Sequence, residues 1–141
     1  MATITKHTFD QTEVSNLQSG KTVVQNTIDF SATGDNVSAA DVVQAIKIPS
    51  GALVTKVYVK VDTAEGATCT ATVGDGTTAD GWDASTNLNA TADTVTTSLE
   101  ATDTYVGGKY YSADDTIDLT MGHDTDAAIV TVLAEYLMLN A

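Results

Sequence analysis

One ten-residue segment, ALVTKVYVKV (Ala52–Val61), alternates regularly between two sets of side chains. Successive side chains of a β-strand point to opposite sides of its sheet. On one face this arrangement places only aliphatic and threonine side chains: Leu53, Thr55, Val57, Val59 and Val61. On the other face it places two lysines together with a valine and a tyrosine: Val54, Lys56, Tyr58 and Lys60. The pattern predicts a strand with one apolar face.

Two shorter segments have the same period of two, and threonine fills most of their polar positions. Threonine is branched at Cβ and is favoured on half-exposed strands. In Ala67–Val73 and Thr116–Met121 we expect these residues to point inward: Cys69, Ala71, Val73, Ile117, Leu119 and Met121. We expect the alternate residues to point outward: Thr68, Thr70, Thr72, Thr116, Asp118 and Thr120. Thr22–Phe30 and Asp41–Ile48 also have the composition of strands.

The most apolar segment, AAIVTVLAEYLML (Ala127–Leu139), is compatible with two structures. Its second half is rich in leucine and alanine, which favour a helix. Its first half, Ile129–Val132, is rich in β-branched residues, and the segment has no helix-capping pattern. We predict a long, largely buried strand here, with a helix as the alternative.

Short turn-forming segments separate these runs. One of them, Thr63–Gly66, has the length of a hairpin loop. About nine short strands with turns every 8–12 residues, and no alternation of strands with helices, are typical of a sandwich or barrel. We predict an all-β fold, specifically an antiparallel β-sandwich. The other turn segments are Ser31–Asn36, Ile48–Gly51 and Val106–Tyr111.

The 141 residues have the length of one ordinary domain. We assign residues 21–141 to a single β-sandwich domain. Residues 1–20 show no clear period, and we interpret them as an N-terminal arm or an irregular strand. The sequence shows neither a signal-peptide pattern nor an apolar run of about 20 residues, so we expect a soluble protein made in the cytoplasm.

The charge balance excludes several classes of partner. The formal net charge is −13, from 19 acidic residues and 6 lysines, with no arginine. Nucleic acids and anionic membranes both attract clustered basic residues, so we expect neither as a partner. A strongly acidic surface steers basic partners toward it, and it also serves solubility alone. Cys69 is the only cysteine, so no disulfide forms within the chain.

The stretch TVGDGTTADGWDAST (Thr72–Thr86) has the composition of a calcium-binding loop. An EF-hand loop that starts at Asp75 needs glycine at its sixth position and glutamate at its twelfth. Asp80 and Thr86 occupy those positions, and no flanking helices are predicted. Asp75, Asp80 and Asp83 are therefore only weak candidate ligands for a single cation.

The glycines of the same stretch support a structural interpretation. Gly74, Gly76 and Gly81 give the backbone freedom that a long connection requires. Trp82, the only tryptophan, then covers a sheet edge or a subunit contact as an apolar plug.

No set of residues predicts an active site. The sequence has no G-x-S-x-G motif and no glycine-rich phosphate loop before a helix. Cys69 is expected to point inward, where a thiol is inert, and His123 has no second His or Cys close by in sequence to form a zinc site. We expect Asp114, Asp115 and Asp118 to lie in a solvated acidic group. We therefore predict no catalytic residues, no cofactor and no enzyme activity.

Aromatic side chains are the candidates for an interface. Trp82, Tyr110 and Tyr111 lie near glycine-rich turns. Such side chains stack on sugars or anchor protein contacts when they are exposed. For each of them, packing in the core is the alternative.

Three segments share a pattern: IKIPSGALVTKVYVKVDTAEGATCTATVGDGTTADGW (Ile46–Trp82), KYYSADDTIDLTM (Lys109–Met121) and the hydrophobic final segment. The pattern is an IP-small-Gly turn, an alternating valine strand, VGDG with a later DG, and then YSADDTIDL. It resembles the small virion proteins of tailed phages, in particular head decoration (cement) proteins. The resemblance covers roughly the last two-thirds of the chain.

This resemblance implies a jelly-roll-like sandwich, often a homotrimer, on the outer surface of a phage capsid. The implied partner is the major capsid protein, and the implied role is to stabilise the capsid by bridging neighbouring subunits. A carbohydrate- or receptor-binding module of a phage tail or fibre is the alternative, because similar sandwiches occur there. That alternative requires an exposed aromatic platform.

Overall fold

A computed structural model describes residues 2–5, 12–16, 21–97 and 103–139. These ranges contain β-strands and no α-helix, so they hold no helix that could span a bilayer. The eleven strands of the described ranges are β1 (Thr3–Thr5), β2 (Thr12–Asn16), β3 (Lys21–Asp29), β4 (Val42–Ile48), β5 (Ala52–Thr63), β6 (Thr70–Gly74), β7 (Asp83–Asn87), β8 (Val95–Thr97), β9 (Lys109–Tyr110), β10 (Asp115–Met121) and β11 (Ile129–Met138).

The strands form two sheets. Sheet A has the order β1-β4-β10-β6-β7, and sheet B has the order β2-β3-β11-β5-β8, with β9 also paired to β5. The β1–β4 pair is parallel, and the other pairs of described strands are antiparallel. The inner faces of the two sheets share one buried apolar core. The predicted all-β, antiparallel sandwich is confirmed.

The long final strand lies at the centre of sheet B. β11 pairs with β3 on one side and β5 on the other. Its side chains alternate between buried and half-buried, and the buried ones are Val130, Val132, Ala134 and Tyr136. The strand prediction for this segment is confirmed and the helix alternative is wrong, because both edges of the segment pair with neighbouring strands.

A β-bulge reverses part of the predicted facing in β5. Glu135 pairs with Lys56 and Tyr136 pairs with Val54, so Thr55 is an extra residue in β5. One extra residue shifts the period of two by one position. Val54 is therefore buried, and the expectation that Leu53 and Thr55 share the inner face with the later valines is wrong. Beyond the bulge, the buried valines of β5 are those predicted: Val57, Val59 and Val61.

The connection Thr63–Gly66 is not a hairpin loop. It joins β5 of sheet B to β6 of sheet A, so the chain crosses between the layers. Both carboxylate oxygens of Glu65 accept hydrogen bonds here from the backbone N–H groups of Asp126, Ala127 and Ala128, at 2.9, 3.1 and 2.8 Å. This carboxylate holds together two connections that each cross from one sheet to the other.

The described part of residues 1–20 contributes one strand to each sheet. β1 pairs with β4, and the N–H of Ala2 donates to Oδ1 of Asp41 at 2.9 Å. Ile4 packs against the core, while β2 extends sheet B beside β3. Residues 6–11 and 17–20 of the expected arm lie outside the described residues.

Candidate functional site

The glycine- and aspartate-rich stretch between β6 and β7 is a tight loop organised by Asp75. Oδ1 of Asp75 accepts hydrogen bonds from the backbone N–H groups of Thr77 and Thr78, both at 2.9 Å. The N–H of Asp75 donates to the carbonyl oxygen of Thr78 at 3.0 Å. Gly74 permits this close return of the chain, because a Cβ at that position would collide with the backbone of Thr78. Asp75 therefore acts as the internal cap of its own loop.

The same carboxylate binds a lysine and two tyrosines. Nζ of Lys109 lies 2.5 Å from Oδ2 of Asp75, and the Tyr111 hydroxyl donates to Oδ2 at 2.8 Å. The Tyr105 hydroxyl lies 3.4 Å from Oδ1. The ammonium group also lies 4.5 Å from the ring centre of Tyr105 and 4.6 Å from that of Tyr111, which is cation–π distance. Burial alone raises the pKa of Asp75, but Lys109 and the hydrogen bonds outweigh it and lower that pKa.

Trp82 closes this arrangement from the inside. Its side chain is fully buried and meets the Tyr105 ring edge-on, with the ring centres 5.2 Å apart. Its Nε1 donates to the Tyr111 hydroxyl at 3.2 Å. Burial raises the pKa of the Tyr111 hydroxyl, which therefore stays protonated and donates to Asp75. We refer to Asp75, Trp82, Tyr105, Lys109 and Tyr111 as the Asp75 cluster.

The three weak metal candidates do not converge on one point. Asp75 is bound to Lys109, whose ammonium takes the place that a cation would need. Asp83 caps the start of β7 by accepting from the N–H of Ser85 and from the Thr86 hydroxyl, and the Asp80 side chain is exposed. No group of three His, Cys, Asp or Glu side chains in the described ranges is arranged to hold a metal ion.

The three interface candidates occupy different environments. Trp82 and Tyr111 are buried inside this chain, in the Asp75 cluster. Tyr110 points the other way from β9 and is 43% exposed, next to Leu53 of β5. Of the three, Tyr110 is the one whose side chain is available to another molecule.

The acidic group near the start of β10 divides into exposed and buried members. Asp114 lies exposed in the turn, as expected, and accepts from the N–H of Ser50 at 2.8 Å. Asp118 is only 5% exposed, so the expectation of a solvated side chain is wrong for it. Asp118 pairs with Gly74, and the loop that follows Gly74 lies over this part of sheet A.

The buried Asp118 carboxylate has a weakened acidity. Its Oδ1 accepts from the Thr116 hydroxyl at 2.6 Å, and it lines a polar cavity of about 340 Å³ beneath the loop. Burial raises its pKa to about 6, and the negative charges of Asp115 and Asp75 add to the effect while the Thr116 hydrogen bond opposes it. Such a group titrates close to neutral pH.

Cys69 faces the core, as predicted. Its Sγ lies 3.1 Å from the Thr125 hydroxyl oxygen, and burial raises the pKa of the thiol. A buried thiol with a raised pKa is a poor nucleophile. The only histidine that the structure describes, His123, accepts from the N–H of Thr70 at 3.3 Å through Nδ1. Both residues thus have structural roles.

The outer face of sheet B carries an apolar patch among polar side chains, a feature that the sequence interpretation missed. Val23, Tyr58, Val95 and Leu133 surround a shallow depression of about 400 Å³ on this face. Val95 is 52% exposed, and the other three are half-buried. Beyond the charged pair of Lys56 and Glu135, a second apolar group consists of Leu53, Leu137 and Tyr110. The available signal was the presence of apolar residues at both odd and even positions of β5 and β11.

Comparison with known proteins identifies the fold. No protein-family model and no curated protein matches the sequence. A chain in the acidic stable capsid structure of Helicobacter pylori bacteriophage KHP30 matches with a TM-score of 0.61 and 16% identity, over 92% of this chain and 94% of that one.

Two further capsid structures match over similar lengths. A chain of the cyanophage Pam1 capsid asymmetric unit gives a TM-score of 0.60 at 19% identity, over 95% of this chain and 89% of that one. A chain of the Ralstonia phage GP4 capsid gives 0.51 at 15% identity, over 84% and 86%. The chain has a fold that is found in phage capsids.

Proposed function

We propose that this chain is a structural protein of a phage virion, and that it binds the outer face of the capsid and stabilises it. The supporting observation is the match of its fold, over 84–95% of its length, to chains of three phage capsid structures. At 15–19% identity those matches concern the fold alone. The sequence resemblance to decoration proteins supports the more specific role.

The proposed mechanism is mechanical rather than chemical. A protein that binds the assembled shell and not its separate subunits stabilises the shell by mass action. The proposed partner is the major capsid protein, and many copies would bridge neighbouring capsid subunits. The net charge of −13 would keep the decorated particles apart through repulsion between their surfaces.

The homotrimer that the resemblance implies stays a prediction. Three-fold assembly would match local three-fold positions of a capsid. The proposed stabilising role does not depend on this number, because a monomer or a dimer also bridges subunits if its contact area is large enough.

The alternative of a sugar- or receptor-binding module receives no support from the aromatic residues. Trp82 and Tyr111 are buried, so neither can stack on a glycan. Tyr110 is exposed, but a single side chain does not form an aromatic platform. We therefore propose the capsid role only.

The test compares virions made with and without this chain. Cryo-electron microscopy of the two particles is expected to show extra density on the outer surface of the head when the chain is present. Heating is expected to release DNA from the particles that lack it at a lower temperature. Density on the tail, or equal heat stability of the two particles, would overturn the proposal.

A further inference from the structure

The outer faces of the two sheets differ in chemical character. On sheet A the outward positions are mainly polar, with threonines such as Thr72 and Thr120. On sheet B the outward positions of three adjacent strands include an apolar patch among polar and charged residues, with Val23, Tyr58 and Leu133 around the depression. An apolar patch that is rimmed by polar residues is characteristic of a binding surface.

The long strands of sheet B carry no net charge, although the whole molecule is acidic. The net charge of the chain is −13. In β3, β5 and β11, however, lysines and acidic residues are equal in number: Lys21, Lys56 and Lys60 against Asp29, Asp62 and Glu135. Two copies of an acidic chain repel one another, but the charges in these three strands balance, so they add little to that repulsion when this face meets another copy.

The pattern on β5 and β11 is complementary to itself. Within one chain Leu133 pairs with Tyr58, and Glu135 pairs with Lys56. A two-fold axis that runs between these strands and parallel to them places β11 of one copy opposite β5 of the other. Leu133 then meets Tyr58 of the second copy, and Glu135 meets Lys56. Unlike charges would face each other at both symmetry-related positions.

The face is large enough for a stable contact. Ten residues of β11 at about 3.4 Å each, and the three long strands β3, β11 and β5 about 4.8 Å apart, give a flat area on the order of 500 Å², which β8 and β9 extend at one edge. Side chains corrugate this surface, so its accessible area is larger. Specific interfaces bury about 800 Å² per partner, so a contact across most of the face reaches that size.

We propose that the outer face of sheet B pairs with the same face of a second copy of this chain, as a two-fold dimer. This pairing goes beyond the proposed capsid role and does not rest on it. It also differs from the homotrimer implied by the resemblance, since a trimer needs two different surfaces at each contact.

The first test measures the mass of the purified chain in solution by light scattering at micromolar concentration. The wild-type chain is expected at twice the mass of one copy. Leu133→Lys is expected to be a monomer, because it places a charge in the apolar centre of the contact. Ala84→Lys adds the same charge at an exposed position of sheet A and is expected to stay a dimer. Circular dichroism establishes that both variants are folded.

The second test uses two charge variants that are mixed. Lys56→Glu and Glu135→Lys are each expected to be monomeric, because each homodimer would bring like charges together twice. An equimolar mixture is expected to form heterodimers, since both charge pairs are then restored. Effects within one chain cannot produce recovery on mixing. A monomeric or trimeric wild type, a dimeric Leu133→Lys variant or a mixture that stays monomeric would overturn the proposal.

Discussion

Nζ of Lys109 lies 2.5 Å from Oδ2 of Asp75, although the two residues are separated by 34 positions in the chain. The Asp75 side chain is fully buried, and the Lys109 side chain is 21% exposed. This pair joins the loop after β6 in sheet A to β9 at the edge of sheet B. An ion pair thus connects the two sheets of the sandwich.

Lys109→Met is expected to destabilise the fold by about 2–4 kcal/mol, because it leaves the Asp75 carboxylate buried without a positive charge. Urea unfolding at pH 7 measures this loss. The control is Lys60→Met, which removes ion pairs of an exposed ammonium group with Asp62 and Asp93 and is expected to cost much less. Equal losses for the two variants would contradict the structural role of the buried pair.

Asp118→Asn is expected to stabilise the fold near neutral pH. The pKa of Asp118 is raised from 3.8 to about 6 in the folded chain, so ionisation is penalised there and not in the unfolded chain. The penalty is fully present above pH 6 and disappears as the pH falls toward 4. We expect a gain of about 1–3 kcal/mol at pH 7.5 and almost none at pH 4.

Thermal or urea unfolding at the two pH values checks this expectation for Asp118. Asp80→Asn, at an exposed side chain, is the control and is expected to show little change at either pH. A loss of stability in Asp118→Asn at pH 7.5 would show that the ionised carboxylate is favoured in the fold.

Glu65→Ala is expected to destabilise the fold by about 1–3 kcal/mol, because three backbone N–H groups lose a charged acceptor. Burial opposes ionisation of Glu65, but these N–H groups outweigh it and lower its pKa. The stabilisation by the wild-type carboxylate is therefore present above pH 4.5 and lost as the pH falls through the folded pKa. Hydrogen exchange at Asp126, Ala127 and Ala128 should accelerate in the variant, and unchanged exchange would argue against this role.

Gly74→Ala is expected to cost more than about 2 kcal/mol, because the added methyl group collides with the backbone of the loop. Gly107→Ala is the matched control, since a Cβ at Gly107 meets no atom within 4 Å. We expect that variant to stay within about 0.5 kcal/mol of the wild type. Urea midpoints of the two variants provide the comparison, and a tolerated Gly74→Ala would refute the tight loop described here.

The sandwich itself follows from the alternation of side chains, because one apolar face per strand requires a second layer to cover it. The inward residues of β6 and β10, such as Ala71 and Leu119, were predictable for this reason. The bulge at Thr55 was not, because an extra residue is defined only against the partner strand. For the same reason the inward orientation of the Val54 side chain was not predicted.

The candidate site was less accessible to sequence reasoning. The importance of Asp75 depends on Lys109 and Tyr111, which tertiary structure brings to it from distant positions. The burial of Asp118 depends on the loop that follows β6, and the alternation of residues within β10 carries no information about that loop. Leu133 and Tyr58 looked like ordinary strand residues, and only the pairing of β11 with β5 shows that they lie side by side in one patch.

The position of β11 between β3 and β5 has a consequence for how this chain is made. On the ribosome, Gln25 of β3 emerges about 100 residues before Leu133, the residue with which it pairs. At about 5–20 residues per second, β3 and β5 spend several seconds without the strand that joins them. Sheet B can therefore assemble only after β11 has left the ribosome, and until then the edges of β3 and β5 that pair with β11 lack their partner strand.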